Sequence, residues 1–495
     1  MLKYAIQLFK EKIFMEKSEF VKEIADIHTD YPQWYTDVVL KTELADYGPV
    51  KGTMVIRPYG YAIWELIQSE MDKRFKALGH QNAYFPLLFP YSFLEKEKEH
   101  VEGFAPEVAV VTHAGGAELA EKLVIRPTSE TVICKMYSKW LQSYRDLPFK
   151  YNQWANVMRW EKTTRPFLRT SEFLWQEGHT LHETKEEAMQ ETLQMLEVYR
   201  SVCEELLAVP MLVGRKTEKE KFAGAEITYS IESMTRDGKS LQSGTSHYLG
   251  TNFAKSFDIQ FQDREGKMAY PHQTSWGTST RLIGALICAH GDERGLALPP
   301  KIAPIQVVIV PITLKNDDLV NYCKGLNEEF VKAGIRSQVD LSDYSAGYKF
   351  NKYEMKGVPV RIEVGNRDLS NGVVTVARRD TLEKFSLNQS NLTASILSLM
   401  DEIQSNMLET ARNKTNEHII EVDNRADLVK TVNEGNFVRV TWCGDRSCEE
   451  NLKDETAISS RCMPFDQSGK KHKCACCGKE LREGEGYITY FAKSY

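Results

Sequence analysis

The sequence contains no hydrophobic run long enough to cross a lipid bilayer. Its most apolar stretch, IAPIQVVIVPI at 302–312, is far shorter than the roughly 20 residues of a membrane helix and includes two prolines. We interpret this stretch as a buried strand and expect no membrane association. The opening stretch, MLKYAIQLFKEKIFMEK, mixes acids with bases and has no long apolar core, so a secretory signal peptide is not expected.

Cysteine is also scarce, with ten in 495 residues, too few for a disulfide scaffold. Four of them lie far apart in helical or apolar contexts that are typical of buried free thiols: Cys134, Cys203, Cys288 and Cys323. A chain without a disulfide framework suits a reducing compartment, and we expect a cytoplasmic location. The net charge of −6 argues against bulk adhesion to nucleic acid, but it leaves room for a local basic groove.

Glycine-rich phosphate loops are missing as well. Neither a Walker loop, nor GxGxxG after a strand, nor a kinase motif set is present, so a nucleotide site would have to use other groups. Arg159, Arg169 and Arg281 are candidates, because guanidinium groups bind phosphates and carboxylates in a bidentate manner. Taken singly, each is more typical of a surface ion pair. Converging on one sheet, they would suit a nucleoside triphosphate.

The stretch TRPFLRTSEFLWQEGHT, at 164–180, predicts a strand with an unusual face. From Phe173 onward the alternation places Phe173, Trp175, Glu177 and His179 on one side. A face that is buried only for stability should be apolar, so two rings beside a carboxylate and an imidazole indicate the floor of a binding site. The alternative is a core strand whose Glu and His are satisfied by neighbouring groups.

The length predicts about three domains. Residues 15–300 combine helical periodicity, as at 15–28, 61–78 and 183–207, with a series of strands and hairpin signals at Asp237-Gly238 and Glu265-Gly266. This pattern predicts an α+β body with a large antiparallel sheet.

From residue 301 to about 410, after the proline-rich boundary at 299–304, strands alternate with helices. This alternation predicts a smaller α/β domain with a mostly parallel sheet. Residues 411–495 are expected to form a third module. It contains Cys443-x4-Cys448 and, about thirty residues later, Cys474, Cys476 and Cys477. Two close cysteine pairs in a reduced protein predict a structural zinc site. Cys474 with Cys477 is the preferred second pair, and Cys474 with Cys476 is the alternative.

Five segments in order resemble those of a known family: RPTSE (126–130), VMRWEK with PFLRTSEFLWQEGHT, QSGTSHYLG (242–250), SWGTSTR (275–281) and HGDERGLALPP (290–300). They resemble the prolyl-tRNA synthetases of the archaeal and eukaryotic-like type, which are class II aminoacyl-tRNA synthetases. The resemblance extends from about residue 20 to Tyr495. It implies a ligase that activates L-proline with ATP and transfers the prolyl group to the 3′ end of tRNA(Pro), releasing AMP and pyrophosphate.

The resemblance also implies roles for individual side chains. In the proline pocket, Thr128 and Glu130 would accept hydrogen bonds from the imino nitrogen, and Phe222 and Trp175 would enclose the ring. Arg159 would face the carboxylate, and three further residues would line or brace the pocket: Glu177, His179 and His247.

For ATP, the resemblance makes Arg159 and Arg281 the catalytic arginines: Arg159 would hold the α-phosphate, and Arg281 would complete the site. Glu161 would bind the adenine amino group, and Phe173 would stack on the base. The remaining contacts to the phosphates and magnesium would come from Arg169, Thr170, Gln242, Thr245 and Ser279.

The family's other properties are expectations here too. The segment KALGHQNAYFPLLFP with Pro86 resembles the one that pairs across a two-fold axis, so a homodimer is expected. The α/β domain resembles an anticodon-binding domain. Its most family-like segment is 347–359, where bases or phosphates would be contacted by Lys349, Lys352, Glu354 or Lys356. The interval 180–241 is too short for the large editing insertion of bacterial-type relatives. The final Tyr495 is expected to reach back towards the active site.

Two other functions fit parts of this pattern. A related class II enzyme, such as a threonyl-tRNA synthetase, would have the same fold but would need a metal in its amino-acid pocket. The row from Trp175 to His179 provides no cysteine or histidine pair for one. A non-catalytic tRNA-binding paralogue would keep the fold without the chemistry, and the intact arginine set argues against it.

Overall fold

The computed structural model of the protein describes residues 24–94 and 108–495. The helix expected over 15–28 lies largely outside these residues, and the chain from residue 24 is irregular until Tyr31. Two compact units are formed. One contains the described residues up to Asp46 together with Ile56–Tyr61 and His290–Ser405. The other contains Tyr47–Val55, Asn406–Tyr495 and the described part of Ala62–Ala289.

The helices lie mostly where apolar residues recur every three or four positions. In chain order they are α1 (Tyr31–Lys41), α2 (Pro58–Ala77), α3 (Glu130–Trp140), α4 (Lys185–Glu205), α5 (Asn252–Ser256), α6 (Arg281–His290), α7 (Asp317–Lys332), α8 (Ala346–Met355), α9 (Asn366–Ser370), α10 (Leu392–Glu417), α11 (Arg425–Asn433) and α12 (Arg446–Thr456).

The strands carry alternating or continuous apolar patterns. They are β1 (Ala45–Tyr47), β2 (Met54–Ile56), β3 (Gln81–Asn82), β4 (Leu88–Pro90), β5 (Val110–Ala114), β6 (Ala117–Ile125), β7 (Phe149–Met158), β8 (Glu172–His182), β9 (Leu212–Arg215), β10 (Ile227–Met234), β11 (Lys239–Gly250), β12 (Phe261–Gln262), β13 (Met268–Ala269), β14 (His272–Ser279), β15 (Val307–Pro311), β16 (Ser337–Val339), β17 (Val360–Val364), β18 (Val373–Arg378), β19 (Lys384–Asn388), β20 (Ile419–Glu421), β21 (Phe437–Trp442), β22 (Ile458–Pro464) and β23 (Tyr487–Ser494).

The predicted antiparallel sheet is confirmed. Strands β7, β8, β14, β11, β10 and β9 are neighbours in that order, and each adjacent pair is antiparallel. Helix α4 packs behind the sheet, where Tyr199 and Phe75 surround the buried ring of Trp276. Gly178 lies directly over this ring, since a Cβ there would be 2.2 Å from it. This back face is the hydrophobic support of the sheet, which leaves the other face available for polar chemistry.

The same sheet continues into the last part of the chain. Strand β22 pairs antiparallel with β9 at Met463↔Arg215, and β23 pairs parallel with β11 at Lys239↔Lys493. An eleven-stranded sheet results. A buried carboxylate, Glu232, accepts hydrogen bonds across this junction from Lys216 at 2.6 Å and from Arg461 at 3.2 Å. The residues expected as a third module at 411–495 therefore share a sheet with the catalytic body.

The unit that contains His290–Ser405 has a five-stranded sheet in the order β16, β15, β17, β18, β19. The first two pairings are parallel and the last two antiparallel, so the prediction of a mostly parallel sheet is wrong. The reason is the short connection from Val364 to Val373, because a parallel crossover needs a dozen residues or more. The units divide between Ala289 and His290, earlier in the chain than the proline-rich stretch 299–304.

Among residues 24–94 and 108–495, no helix has both the length and the apolar character required to span a membrane.

Candidate active site

A cavity of about 810 Å³ lies on the polar face of the large sheet. Strands β8, β14, β11 and β10 form its floor, and the residues that follow β7 and β9 form its walls. Every residue assigned to proline or ATP from the sequence lines this one cavity: Thr128, Glu130, Arg159, Glu161, Arg169, Thr170, Phe173, Trp175, Glu177, His179, Phe222, Gln242, Thr245, His247, Ser279 and Arg281.

Strand register explains how distant parts of the chain meet on this floor. One row runs across four strands as Thr228, His247, Ser275 and His179. The next row contains Thr245, Gly277 and Glu177, and the glycine leaves open space above the centre of the sheet. Because side chains that face each other across neighbouring strands point to the same side, each row presents its groups to the cavity together.

Arg159 follows the end of β7, where its guanidinium lies against two rings of β8. Its Cζ is 5.6 Å from the Phe173 ring centroid and 5.4 Å from that of Trp175, within cation–π range. The Nε donates to the Pro127 carbonyl at 3.0 Å. Within the described chain, its two terminal nitrogens donate to no protein atom. Burial lowers the pKa of Arg159, and three carboxylates around it oppose this shift. A half-buried cation with unused donors is suited to binding an anion.

Arg281, at the start of α6, faces the same space. It donates to the carbonyls of Leu168 and Gln242, each at 3.1 Å. Burial, followed by the charges of Arg159 and Arg169, lowers its pKa to about 10. Arg169 itself is held by Glu161, with Nε and Oε2 3.4 Å apart. Two further guanidinium groups close enough to disfavour the charged form of Arg281 indicate a site for a highly charged anion.

Glu177 and His179 form a buried ion pair at the base of the cavity. His179 Nε2 is 3.0 Å from Glu177 Oε2, and Gln153 donates to the other carboxylate oxygen at 2.7 Å. Burial raises the pKa of Glu177, but these hydrogen bonds and the charge of His179 outweigh it, so the net pKa is lowered. Burial lowers the pKa of His179, but Glu177 outweighs it, so the net pKa is raised. The contacts between the two groups therefore favour the charged form of each.

The remaining wall combines aromatic and small polar groups. The Phe222 and His247 ring centroids are 4.8 Å apart, and Thr128 donates a short hydrogen bond to Glu130. Two buried polar atoms of the lining, Trp175 Nε1 and Ser275 Oγ, have no hydrogen-bond partner among the described residues. Unsatisfied polar groups beside a cavity are expected where a ligand or water supplies the missing partner.

Sequence reasoning missed several lining residues, notably Trp160, Thr228, Ser275 and Gly277. Trp160 is 53% exposed where it lines the cavity. Ser275 and Gly277 alternate with predicted Ser279, so the strand period alone would have placed them on the same face. Thr228 carried no local signal, because its place at the end of the row depends on pairing with β11.

Three family models match the chain in order: the tRNA synthetase class II core domain (G, H, P, S and T) at residues 112–290, an anticodon binding domain at 306–399, and a prolyl-tRNA synthetase C-terminal domain at 425–495. Proline–tRNA ligase 2 of Clostridioides difficile (strain 630) is 57% identical over 481 residues, which cover 97% of this chain and 99% of that protein. Proline–tRNA ligase of Alkaliphilus oremlandii (strain OhILAs) is 56% identical over 483 residues, covering 97% and 99%.

A solved structure is similarly close. The crystal structure of prolyl-tRNA synthetase from Cryptosporidium parvum, complexed with halofuginone and AMPPNP, superposes with a TM-score of 0.91. It is 45% identical in sequence, and the match covers 95% of this chain and 99% of that one.

The chain belongs to the prolyl-tRNA synthetase family.

The residues that the three family models match lie within the ranges 15–300, 301–410 and 411–495 that were predicted from the sequence for the three domains. The class II fold expected from the resemblance is confirmed, and with it the antiparallel catalytic sheet and the anticodon-binding fold.

Tyr495 lies beside the loop between β7 and β8. Arg165 donates to the Tyr495 hydroxyl at 2.6 Å, and the Tyr495 backbone nitrogen donates to the Ser240 carbonyl at 3.0 Å. Burial raises the pKa of Tyr495, because ionisation would place a charge in a poorly hydrated site. The tyrosine supports the loop and is not part of the cavity lining.

The prolyl-tRNA synthetase C-terminal domain contains the predicted cysteine cluster. The Sγ atoms of Cys443, Cys448, Cys474 and Cys477 all lie within 4.8 Å of one another. Tetrahedral zinc with Zn–S bonds of about 2.3 Å requires sulfur atoms about 3.8 Å apart. The Cys443–Cys477 and Cys448–Cys474 distances are both 3.9 Å, so the four thiols fit the ion. The preferred pair of Cys474 with Cys477 matches this cluster, and Cys476 lies outside it.

The anticodon-binding unit corrects one prediction from the sequence. Lys349 is 2% exposed and donates to the Asp340 carbonyl at 3.1 Å, so it is wrong as an RNA contact. Lys356 is paired with Glu43, and Lys352 is 3.7 Å from Asp340. Glu354 lines a small cavity of about 130 Å³, and the charged groups around it were missed from the sequence: Arg294, Arg361, Arg378, Arg379 and Lys384.

Proposed function

We propose that this chain activates L-proline with ATP to form prolyl-adenylate and pyrophosphate, and then transfers the prolyl group to the 3′ end of tRNA(Pro) with release of AMP. The observation that carries the proposal is the single cavity that combines half-buried guanidinium groups with a ring-walled, acid-lined pocket. The names of relatives that are 52–57% identical over nearly their full length support the same activity.

The proline pocket uses the inner half of the cavity. Proline presents an apolar ring, an ammonium group with two N–H donors and a carboxylate. Thr128 and Glu130 accept hydrogen bonds from the ammonium group, and their burial excludes competing water. The rings of Trp175 and Phe222 enclose the proline ring. Glu177, His179 and His247 brace the floor beneath it.

ATP uses the outer half. Glu161 accepts from the adenine amino group, and Phe173 stacks on the base. Arg169 holds the outer phosphates, and the other polar groups around the phosphates are Thr170, Gln242, Thr245 and Ser279.

The chemistry needs no general base, because the proline carboxylate is already ionised near neutral pH. A carboxylate oxygen attacks the α-phosphorus, the bond to the bridging oxygen breaks, and pyrophosphate leaves with that electron pair. Arg159 and Arg281 stabilise the negative charge that develops on the α-phosphate oxygens. The enzyme's contribution is therefore positioning and electrostatic stabilisation.

Magnesium is expected with the nucleotide. The side-chain oxygens of Gln242 and Thr245 are of the hard type that this ion prefers, and phosphate oxygens complete such sites. When bound, the ion neutralises phosphate charge.

For the second half-reaction, the small cavity of the anticodon-binding unit is the proposed tRNA contact. Arg361 lies 4.4 Å from the centroid of the Phe350 ring, and Lys384 lies 5.1 Å from it. A cationic pocket with a carboxylate at Glu354 can hydrogen-bond to base edges and phosphates of an unpaired loop.

We further propose a structural zinc ion on the four thiols, a homodimer and a cytoplasmic location. All ten cysteines are free thiols, as expected in a reducing compartment. Tyr84 is 72% exposed and Trp140 44% exposed, which leaves apolar surface near the segment KALGHQNAYFPLLFP for a second copy to cover. The absence of an editing insertion between His179 and Gln242 supports synthesis without cis editing in that interval.

Amino-acid-dependent exchange of pyrophosphate into ATP tests the activity. We expect proline to stimulate exchange, with threonine and the amino-acid-free reaction as controls. Stimulation by threonine, or equal exchange without an amino acid, would rule the proposal out. Charging of tRNA(Pro) with labelled proline then tests the second step.

A further inference from the structure

Thr228 occupies the end of the floor row, at a position to which neither the resemblance nor the comparisons assign a role. Its side chain is buried, with the residue 2% exposed. Strand β10 places it directly opposite His247 on β11. Its Oγ1 is 2.9 Å from His247 Nδ1 and accepts a hydrogen bond from the Phe222 backbone N–H at 3.0 Å. The Thr228 hydroxyl therefore contacts both the His247 side chain and the Phe222 backbone, which belong to different walls of the cavity.

Those contacts restrict where the Thr228 hydroxyl hydrogen and the His247 ring hydrogen can lie. A threonine hydroxyl has one hydrogen to donate and lone pairs to accept. Since Phe222 donates to Oγ1, the hydroxyl hydrogen finds an acceptor within the described residues only at His247 Nδ1. With the hydroxyl hydrogen donated there, His247 Nδ1 accepts and Nε2 carries the ring proton. The opposite tautomer, in which Nδ1–H donates to Oγ1, would leave the buried hydroxyl hydrogen without an acceptor among the described residues, which costs free energy. Burial, followed by the nearby His179, lowers the pKa of His247 to about 3, which agrees with a neutral ring.

The same hydroxyl ties a loop to the sheet. Phe222 lies in the loop between β9 and β10, outside regular secondary structure. Its ring meets His247 at a centroid distance of 4.8 Å and an interplanar angle of 36°. The hydrogen bond to Thr228 fixes the backbone from which the Phe222 ring projects, and it fixes the imidazole against which that ring packs. The positions of the Phe222 ring and of the His247 ring therefore both depend on the Thr228 side chain.

A neutral His247 matters for the ligand proposed here. The imino acid brings a positively charged ammonium group, and the floor already contains His179, whose pKa is raised by Glu177. A second imidazolium would add repulsion without a carboxylate to balance it.

We propose that Thr228 is a positioning residue of the imino-acid pocket, whose hydroxyl holds His247 in the Nε2-protonated form and aligns it with the Phe222 loop. The inference rests on the proposed function and deepens it. Thr228 acts only through these two neighbours.

Steady-state exchange kinetics test the role. In Thr228→Val the shape is kept and the hydroxyl is lost, and we expect the KM for proline to rise about tenfold, the effect of losing one buried hydrogen bond. The KM for ATP and kcat should stay within about threefold, since the ATP half of the cavity is not touched. Thr228→Ser keeps the hydroxyl and should restore the proline KM.

Thr274→Val is the matched control, because Thr274 is a buried threonine on neighbouring β14 whose hydroxyl is bonded to Thr180 and which does not line the cavity. An equal rise of the proline KM in Thr274→Val, or a Thr228→Ser variant no better than Thr228→Val, would overturn the inference. A loss of kcat at unchanged KM would also overturn it, because that pattern reports less folded enzyme.

A measurement on the unaltered protein covers the case in which Thr228→Val does not fold. In the 15N-histidine spectrum, the signals missing from His247→Gln identify His247. We expect a neutral ring protonated at Nε2 near pH 7. A proton on Nδ1, or a charged ring, would contradict the assignment. This result does not depend on catalysis, so an enzyme that lacks proline-dependent exchange would refute the proposed function and leave the tautomer test standing.

Discussion

The two histidines of the cavity floor have opposite protonation preferences although only Ser275 separates them in the row. His179 has a carboxylate within hydrogen-bond distance and its pKa is raised, while His247 has a hydroxyl and its pKa is lowered. Burial lowers the pKa of both rings, but only His179 has a carboxylate that outweighs it, and the charge of His179 lowers the pKa of His247 further. A single residue type thus supplies a cation and a neutral donor on one floor.

The Glu177–His179 pair predicts a pH-dependent stability. The lowered pKa of Glu177 stabilises the fold above its ordinary value of 4.5, and this contribution is lost as pH falls through the lowered pKa. The raised pKa of His179 stabilises the fold fully below its ordinary 6.5 and is lost as pH rises through the raised value. The pair therefore contributes most between these two values. Thermal unfolding of His179→Gln should show its largest deficit against the unaltered protein near pH 5.5.

The deficit should shrink as pH rises through the raised pKa of His179, because the folded protein then loses the charge on the imidazole. Gln153→Leu, which removes the other hydrogen bond to Glu177, provides a comparison without an imidazole. A deficit for His179→Gln that does not change with pH would mean that the pair is not ionised in the folded protein.

Substituting an arginine of the cavity should reduce activity far more than substituting an arginine of the surface. Arg159→Ala removes the guanidinium whose terminal nitrogens are free to bind phosphate, and kcat for pyrophosphate exchange should fall about 10²- to 10³-fold. Arg200→Ala is the control, because Arg200 forms surface ion pairs with Glu197 and Glu204 on α4. Exchange in that variant should be within twofold of the unaltered enzyme, as expected for an exposed pair. Comparable losses in both variants would contradict the position of the phosphate site.

At the scale of elements, a strand could be predicted where its own residues, or those of the adjoining turn, contain the pattern that specifies it. The alternation in FLWQEGHT predicted β8 and the face that it presents, and Asp237-Gly238 predicted the turn between β10 and β11, where Gly238 has φ of +74°. The antiparallel end of the smaller sheet was not predicted. The direction of β18 depends on the length and path of its connection to β17. The apolar pattern of β18 itself predicts a strand but not its direction.

Two glycines on adjacent strands test the two faces of the large sheet separately. A Cβ on Gly178 would lie 2.2 Å from the ring of Trp276, which is itself 1% exposed. Gly178→Ala should therefore cost about 1–3 kcal/mol of stability through overpacking. A Cβ on Gly277 meets only the Gln176 carbonyl oxygen, at 3.1 Å. Gly277→Val should thus fold but fill the cavity opposite Glu177.

Thermal unfolding and exchange kinetics separate the two effects. Gly178→Ala should unfold several degrees lower and, while folded, keep its proline KM. Gly277→Val should lose less stability than Gly178→Ala, because its Cβ meets a single backbone oxygen at 3.1 Å, and it should lose proline-dependent exchange. If Gly277→Val were the less stable of the two, the assignment of faces would be reversed.

At the scale of the molecule, the sequence did not reveal that the C-terminal strands continue the catalytic sheet. Met463 and Arg215 become paired neighbours although about 250 residues separate them, and no local pattern near β9 or β22 encodes that contact. The cysteine spacing predicted a metal site in the same region because a zinc site is a local motif. Sequence thus identified the ligands without showing which sheet they stabilise.

Zinc removal should consequently affect more than the C-terminal domain. Cys477→Ser breaks the four-thiol set, and we expect bound zinc to fall from one equivalent per chain to near zero, together with a lower thermal midpoint. Since β22 and β23 pair with β9 and β11, loosening them exposes an edge of the catalytic sheet, and exchange at elevated temperature should be lost earlier. Cys476→Ala is the control, because Cys476 lies outside the set, and it should keep its zinc. Full zinc in Cys477→Ser with loss in Cys476→Ala would show that Cys474 and Cys476 form the second pair.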